Sequence, residues 1–350
     1  MPYTPGEQPK EQQYIKLNTN ENAYAPPAGA ARYLQSALEH AQLYPDPECT
    51  ALRRKMAALT GLQEDEIIFT NGSDEILNFA FMAFCDADTG AAFPDITYGF
   101  YPVFAALNGV PYAEIPLRED FTVAVEDYCR IGKTIFLANP NAPTGLSLSK
   151  ADIERILTAN PDNVVVIDEA YADFGTWSAV ELVGKYENLL VTGTFSKSRS
   201  GAGLRLGYGF ASAALIKDLN TIRFATNPYN INALSMAVGL AVLEEEAATR
   251  AACEAIKKTR RQAIEAFRAL GFDCTDSQAN FIFVKHPHIG GERLYRLLKE
   301  RGILVRHFSP ERIKDYNRIT IGTEAQMQVL LNTVKDILDD ENCTSKTNNE

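Results

Sequence analysis

A chain of 350 residues that is 46% hydrophobic has enough apolar material for a full core, and its length predicts one large domain with a smaller companion. A formal net charge of −11 argues against general affinity for nucleic acid or anionic membranes, so any anion site must be a local concentration of positive charge. The first residues lack the basic and apolar regions of a signal peptide and no apolar run reaches membrane-spanning length, which predicts a cytoplasmic protein.

In chain order, residues 1–32 read as an N-terminal arm that joins the smaller domain, and residues 33–235 as the large domain. Within the latter, the runs Ile67–Phe69, Gly90–Phe93, Thr134–Leu137, Val164–Ile167 and Leu189–Val191 alternate with longer amphipathic stretches. This alternation predicts βαβ units and a mostly parallel central sheet, and the unbroken apolar character of the runs predicts helices on both faces. Ligands of such sheets bind beyond the carboxyl ends of the strands. A helical linker is expected over 234–270, closed by Gly271, and the segment 236–338 reads as a linking helix followed by a small α+β domain. Its strands are expected at Asn280–Val284 and Arg318–Ile321, with a helix around 294–301 between them. The polar stretch 339–350 reads as a frayed tail.

Two strand ends carry the chemistry. Val164–Ile167 runs into Asp168-Glu169-Ala170-Tyr171, placing a carboxylate at the end of a buried strand, where it needs a cationic or hydrogen-bonding partner. A helix N-cap would use Asp168 equally well. Leu189–Val191 runs into Thr192-Gly193-Thr194-Phe195-Ser196-Lys197, and Gly201-Ala202-Gly203-Leu204-Arg205 follows. Lysine, hydroxyls and an arginine able to grip a phosphate then share one site, where a desolvated, neutral amine is a nucleophile for Schiff-base formation. The glycines do not fit G-x-G-x-x-G, which argues against a dinucleotide loop. Phe69–Ile76 reads as strand, turn and helix start, offering free amides near Ser73 and Asp74 to a phosphate or to simple capping. Tyr98 is an aromatic available to a planar cofactor or to the core. Six cysteines without a CxxC pair predict neither a metal site nor a disulfide framework.

Taken together, Lys16–Asn22, Tyr44-Pro45, Gly72–Glu75, Thr97–Gly99, Asn139–Gly145, Asp168–Tyr171, Ser196-Lys197, Gly203–Arg205 and Arg318–Thr323 resemble fold-type I pyridoxal-phosphate (PLP) aminotransferases of the histidinol-phosphate branch. The resemblance implies that Lys197 carries pyridoxal 5'-phosphate as a Schiff base and serves as proton-transfer base. It implies that Asp168 binds the pyridine nitrogen, that Tyr171 and Asn141 approach the ring hydroxyl and that Tyr98 stacks on the ring. Ser73, Asp74, Thr194, Ser196 and Arg205 would hold the cofactor phosphate, with Tyr44 reaching the phosphate of the neighbouring subunit of a homodimer. Tyr24, Arg306 and Arg318 would cradle the substrate phosphate. The implied reaction is transamination of L-histidinol phosphate with 2-oxoglutarate in histidine biosynthesis. Threonine-phosphate decarboxylation and broad aromatic or aliphatic transamination are the alternatives on the same scaffold. One departure is Ala142, where many relatives carry Asn before Pro-Thr-Gly. A fused DNA-binding regulator is disfavoured, because the arm offers no room for a helix-turn-helix.

Overall fold

The computed structural model describes residues 5–347. Its strands are, in chain order, β1 (Ile15–Lys16), β2 (Ile67–Thr70), β3 (Ala91–Pro94), β4 (Tyr112–Ile115), β5 (Thr134–Ala138), β6 (Val165–Asp168) and β7 (Leu189–Thr194). There follow β8 (Gly207–Ala211), β9 (Asp273–Cys274), β10 (Phe281–Lys285), β11 (Ile303–Leu304), β12 (Arg306–His307) and β13 (Asn317–Thr320). The main sheet has the order β2-β8-β7-β6-β5-β3-β4, with β8 antiparallel to both neighbours and the remaining pairs parallel.

The apolar runs build this sheet because successive side chains face opposite ways. Ile135, Leu137, Val165, Ile167, Leu189 and Val191 enter one core, and Phe136, Val166 and Leu190 enter the other. Each such side chain contributes about 1.5–3 kcal/mol when fully buried. The register then aligns the functional ends: Ala138 pairs with Asp168, and Asp168 with Thr192. Strand β8, which the sequence reading did not anticipate, pairs Gly207 with Thr194 on one side and Thr70 on the other. That pairing brings the turn after β2 beside the loop that carries Arg205.

A second sheet, β12-β13-β10-β9, is antiparallel. The N-terminal arm adds β1 in parallel to β11, and Leu17 O accepts from Thr320 N at 2.9 Å. The linker expected over 234–270 is two helices, Ala233–Glu244 and Glu246–Ala269, broken at Glu245. The break redirects the chain: Val238, Ala241, Val242 and Leu243 pack in the main-sheet core, whereas Cys253, Ile256, Ala263 and Phe267 pack in the second. Gly271, at φ 87°, supplies the left-handed turn that follows.

The tail corrects the sequence reading. The last helix, Glu324–Thr347, runs through residues 339–347 rather than fraying, and residues 348–350 lie outside the described residues, as do residues 1–4 of the arm. Asp340 pairs with Arg301 at 2.9 Å and Glu341 with Arg293 at 3.0 Å, two contacts at the surface that tie the start of this stretch to the small domain.

Candidate active site

A cleft of about 490 Å³ opens beyond the ends of β5, β6 and β7 and is closed on its far side by the second sheet. Ser73, Asp74, Tyr98, Asp168, Tyr171, Thr194, Ser196, Lys197, Arg205, Arg306 and Arg318 all line it. Asp168, the last residue of β6, is 5% exposed. The Tyr101 hydroxyl donates to its Oδ2 at 3.0 Å and Thr192 Oγ1 to its Oδ1 at 3.3 Å. Burial pushes this carboxyl up to about 6 despite those donors. The site therefore holds a carboxylate that a buried cation would stabilise. Sequence reading missed Tyr101, which belongs to an aromatic-rich helix, Tyr101–Leu107, and is pushed well upward by burial and by Asp168, so it remains a donor.

Lys197 follows β7 on a turn, and its Nζ donates to Thr19 O at 3.0 Å. The polar stretch around it is consumed in holding that turn. Asn22 Nδ2 donates to the carbonyls of Lys197 and Ser198, both at 3.0 Å, and the Ser198 hydroxyl bonds the Asp173 carboxylate. Buried Arg199 pairs with Glu246 at 2.6 Å.

At the opposite end of the cleft, helix Ser73–Phe84 presents its first amides beside Arg205. Gly72 at φ 79° makes the tight entry, and a Cβ on Gly207 would overlap Gly72 C and Ser73 N. Arg205 Nη2 lies 3.2 Å from Asp74 Oδ2 and its Nη1 3.3 Å from Ser196 Oγ, which accepts from Thr194 Oγ1 at 2.9 Å. The Tyr98 hydroxyl donates to Asp74 Oδ1 at 2.6 Å. Amides at a helix start, two hydroxyls and a guanidinium together form an anion cradle.

The second sheet supplies the other wall. Arg306 and Arg318 are direct cross-strand partners, and both guanidinium carbons lie 5.8 Å from the Phe308 ring. Like charges placed opposite each other on adjacent strands repel, and an anion between them removes that cost. Arg318 Nη2 also donates to Asn18 O at 3.0 Å.

Three expected residues do not reach this cleft. Asn141 is buried beside it: its Nδ2 donates to Ile96 O and Thr144 Oγ1, and its Oδ1 accepts from Thr97, so the amide is committed within the loop. Ala142 lines the cleft instead. Tyr24 packs against the second core, its N–H turned onto Asn22 Oδ1 at 3.0 Å, whereas Asn18, Thr19 and Glu21 of the same arm line the cleft. Tyr44 is 82% exposed, stacks on Tyr229 at 4.5 Å and does not line the cleft of its own chain.

The model of the family "Aminotransferase class I and II" matches residues 12–334. A histidinol-phosphate aminotransferase from Brachyspira hyodysenteriae is 44% identical over 339 residues, covering 96% of each chain. One from Acinetobacter baylyi is 46% identical over 338 residues, covering 95% of this chain and 94% of that one. Among solved structures, the histidinol-phosphate aminotransferase from Sinorhizobium meliloti in complex with pyridoxal-5'-phosphate has the same fold. It superposes with a TM-score of 0.86 at 20% identity, covering 94% of this chain and 92% of that one.

Proposed function

The chain belongs to the class I and II aminotransferases, and from that premise we propose that it interconverts L-histidinol phosphate and imidazole acetol phosphate, with 2-oxoglutarate and glutamate as the amino-group partners. The observation that carries the substrate reading is Arg306 facing Arg318 across two strands in the wall of the cleft. A phosphorylated substrate bridges that pair, and on a net-acidic protein the pair is a local site for a dianion.

The residues fit pyridoxal 5'-phosphate. Asp168 is a buried carboxylate bonded to hydroxyls, and a protonated ring nitrogen supplies the cation that keeps it ionised. The cradle of Ser73, Asp74, Thr194, Ser196 and Arg205 fits a phosphate, and Gly207, having no Cβ, lets the Gly72–Ser73 backbone close in on the loop that carries Arg205. When bound, the cofactor is the electron sink for the carbanion formed at substrate Cα. Lys197 would provide the covalent anchor, and its freed Nζ would be the base that carries the proton from substrate Cα to the cofactor's C4′. Tyr171 lies close to Lys197, whose Nζ is 5.9 Å from the ring centroid, and offers its hydroxyl to the cleft. Arg306 and Arg318 orient the substrate through its phosphate.

In this reading the working unit is a cytoplasmic homodimer in which the exposed Tyr44 of one subunit reaches the cradle of the other. Histidinol phosphate, threonine phosphate and aromatic amino acids offered side by side, with products identified, test the assignment. Dominant keto-product formation from histidinol phosphate supports it. Carbon dioxide from threonine phosphate points to the decarboxylase, and preference for an unphosphorylated amino acid removes the phosphate-reading role of the arginine pair.

A further inference from the structure

Asn20 sits where three parts of the molecule meet, and all of its polar groups are engaged. It is 1% exposed and left-handed at φ 58°. Its N–H donates to Thr320 Oγ1 at 3.0 Å, and that hydroxyl donates back to Asn20 Oδ1 at 2.9 Å. Its carbonyl accepts from Asn280 Nδ2 at 3.0 Å. Oδ1 is thereby fixed as an acceptor, so the other end of the amide is the donor, and it points at the Tyr171 hydroxyl at 3.0 Å. The neighbouring Thr19 carbonyl receives Lys197 Nζ. Two consecutive residues of the arm thus hold the two groups at the reacting end of the cleft.

A tyrosine hydroxyl has one proton to give. With an acceptor position filled by the Asn20 amide, that proton is left to donate into the cleft that Tyr171 lines. We infer that Asn20 is a positioning residue that sets the donor direction of the Tyr171 hydroxyl through its 3.0 Å amide contact, so that Tyr171 donates to the ring oxygen of the bound cofactor. The inference rests on the cofactor reading above. The donor chain runs from Thr320 through Asn20 to Tyr171, so its first member belongs to the second sheet, the one that carries Arg306 and Arg318.

The consequence is spectroscopic. Donation from Tyr171 draws electron density from the ring oxygen and weakens that oxygen's hold on the neighbouring imine proton; loss of donation raises the pH at which the bound cofactor's visible absorbance changes. Asn20→Asp is nearly isosteric but reverses the contact, because a carboxylate accepts the Tyr171 proton and takes it from the cleft. Asn20→Gly keeps the left-handed backbone and its two main-chain bonds while deleting the donor.

Absorbance–pH titrations of the holoenzyme are made for wild type, Asn20→Asp, Asn20→Gly, Tyr171→Phe and the double variant Asn20→Asp/Tyr171→Phe. The expected result is an upward shift of about one pH unit for Asn20→Asp, a smaller shift in the same direction for Asn20→Gly, and no further shift when Asn20→Asp is added to Tyr171→Phe. A wild-type midpoint in both Asn20 variants overturns the inference, as does a full Asn20→Asp shift that persists without the Tyr171 hydroxyl. If Asn20 only tethers the arm, Thr320→Val and Asn20→Gly lower the melting temperature alike and leave the midpoint in place. Borohydride reduction of the wild type separates this from failure of the cofactor reading: a pyridoxyl group absent from Lys197 defeats that reading itself.

Discussion

The two walls of the cleft handle charge in opposite ways. On the main-sheet side each charge is met by a fixed partner: Arg205 by Asp74 and Ser196, and Asp168 by Tyr101 and Thr192. On the second-sheet side two guanidinium groups face each other across paired strands, beside aromatic rings, the Asn18 carbonyl and, for Arg306, the field of the Glu7 carboxylate. Pre-bonded groups suit a ligand that stays, because their orientation is fixed before it arrives. A pair of like charges on facing strands suits a ligand that comes and goes, because a bound anion lowers a repulsion that returns when it leaves. The comparison predicts a resident cofactor on one wall and an exchanging phosphate on the other.

The largest effect that could break this comparison is at Lys197. Lys197→Ala removes both covalent anchor and base, and turnover is expected to fall by more than about 10⁴-fold. Reduction with borohydride followed by peptide mass spectrometry should find the pyridoxyl group on Lys197 in the wild type; a label on another lysine would move the resident wall elsewhere.

Next in size is the contribution from a second subunit. Tyr44 lies outside the cleft of its own chain, exposed and stacked on the likewise exposed Tyr229. Lys197→Ala and Tyr44→Ala chains are each expected to be inactive as homodimers. Random mixing places one intact site in half of the dimers, so about a quarter of wild-type activity should return. Demonstrated heterodimers with no recovery would confine the resident wall to one chain.

The exchanging wall is tested by Arg306→Ala. A charge-assisted hydrogen bond to phosphate contributes about 1.5–3 kcal/mol, so kcat/KM for histidinol phosphate should drop roughly 10- to 150-fold. Histidinol, which lacks the phosphate, should be turned over slowly and almost equally by both enzymes. Equal losses on the two substrates would make Arg306 a support of the fold rather than a reader of phosphate.

These tests also divide what was legible in the sequence from what was not. Asp168 and Lys197 could be found because one directly ends an unbroken apolar run and the other follows shortly after the next, and the parallel register brings those strand ends together. The roles of Arg306 and Arg318 were visible only through resemblance: Arg318 opens an anticipated strand, but the two-residue β12 that sets Arg306 opposite it leaves no periodic signal. Asn20 was hidden because its partners lie 151 and 300 residues away, and no local pattern encodes such a contact. Tyr101 was masked by aromatic neighbours that are core residues in their own right, Phe104 among them. Asn141 failed in the other direction: the motif located the loop correctly, but whether its amide faces the cleft or the loop is decided by Ile96 and Thr144.

The smallest expected effect concerns stability, and it asks whether the resident wall is strained before its ligand arrives. Burial raises the Asp168 carboxyl from an ordinary 3.8 to about 6 in the folded protein. Between those values the folded state holds a proton that the unfolded state has released, so stability falls as pH rises through that window and stays low above it. Asp168→Asn removes the charge while leaving Tyr101 an oxygen to donate to. Cofactor-free Asp168→Asn should therefore be more stable than cofactor-free wild type by about 1–3 kcal/mol at pH 8, with the gain gone below about pH 4. Comparing the two proteins at each pH removes most of the contribution of Glu169, another buried carboxyl raised by burial, because both proteins carry it. With the cofactor bound the order should reverse, since the ring nitrogen then faces an amide instead of a carboxylate. Denaturant unfolding across pH, with and without cofactor, reads both signs. A gain that is the same at pH 4 and pH 8 would mean that the buried charge is not what burdens the empty site, and the contrast between the two walls would lose its energetic basis.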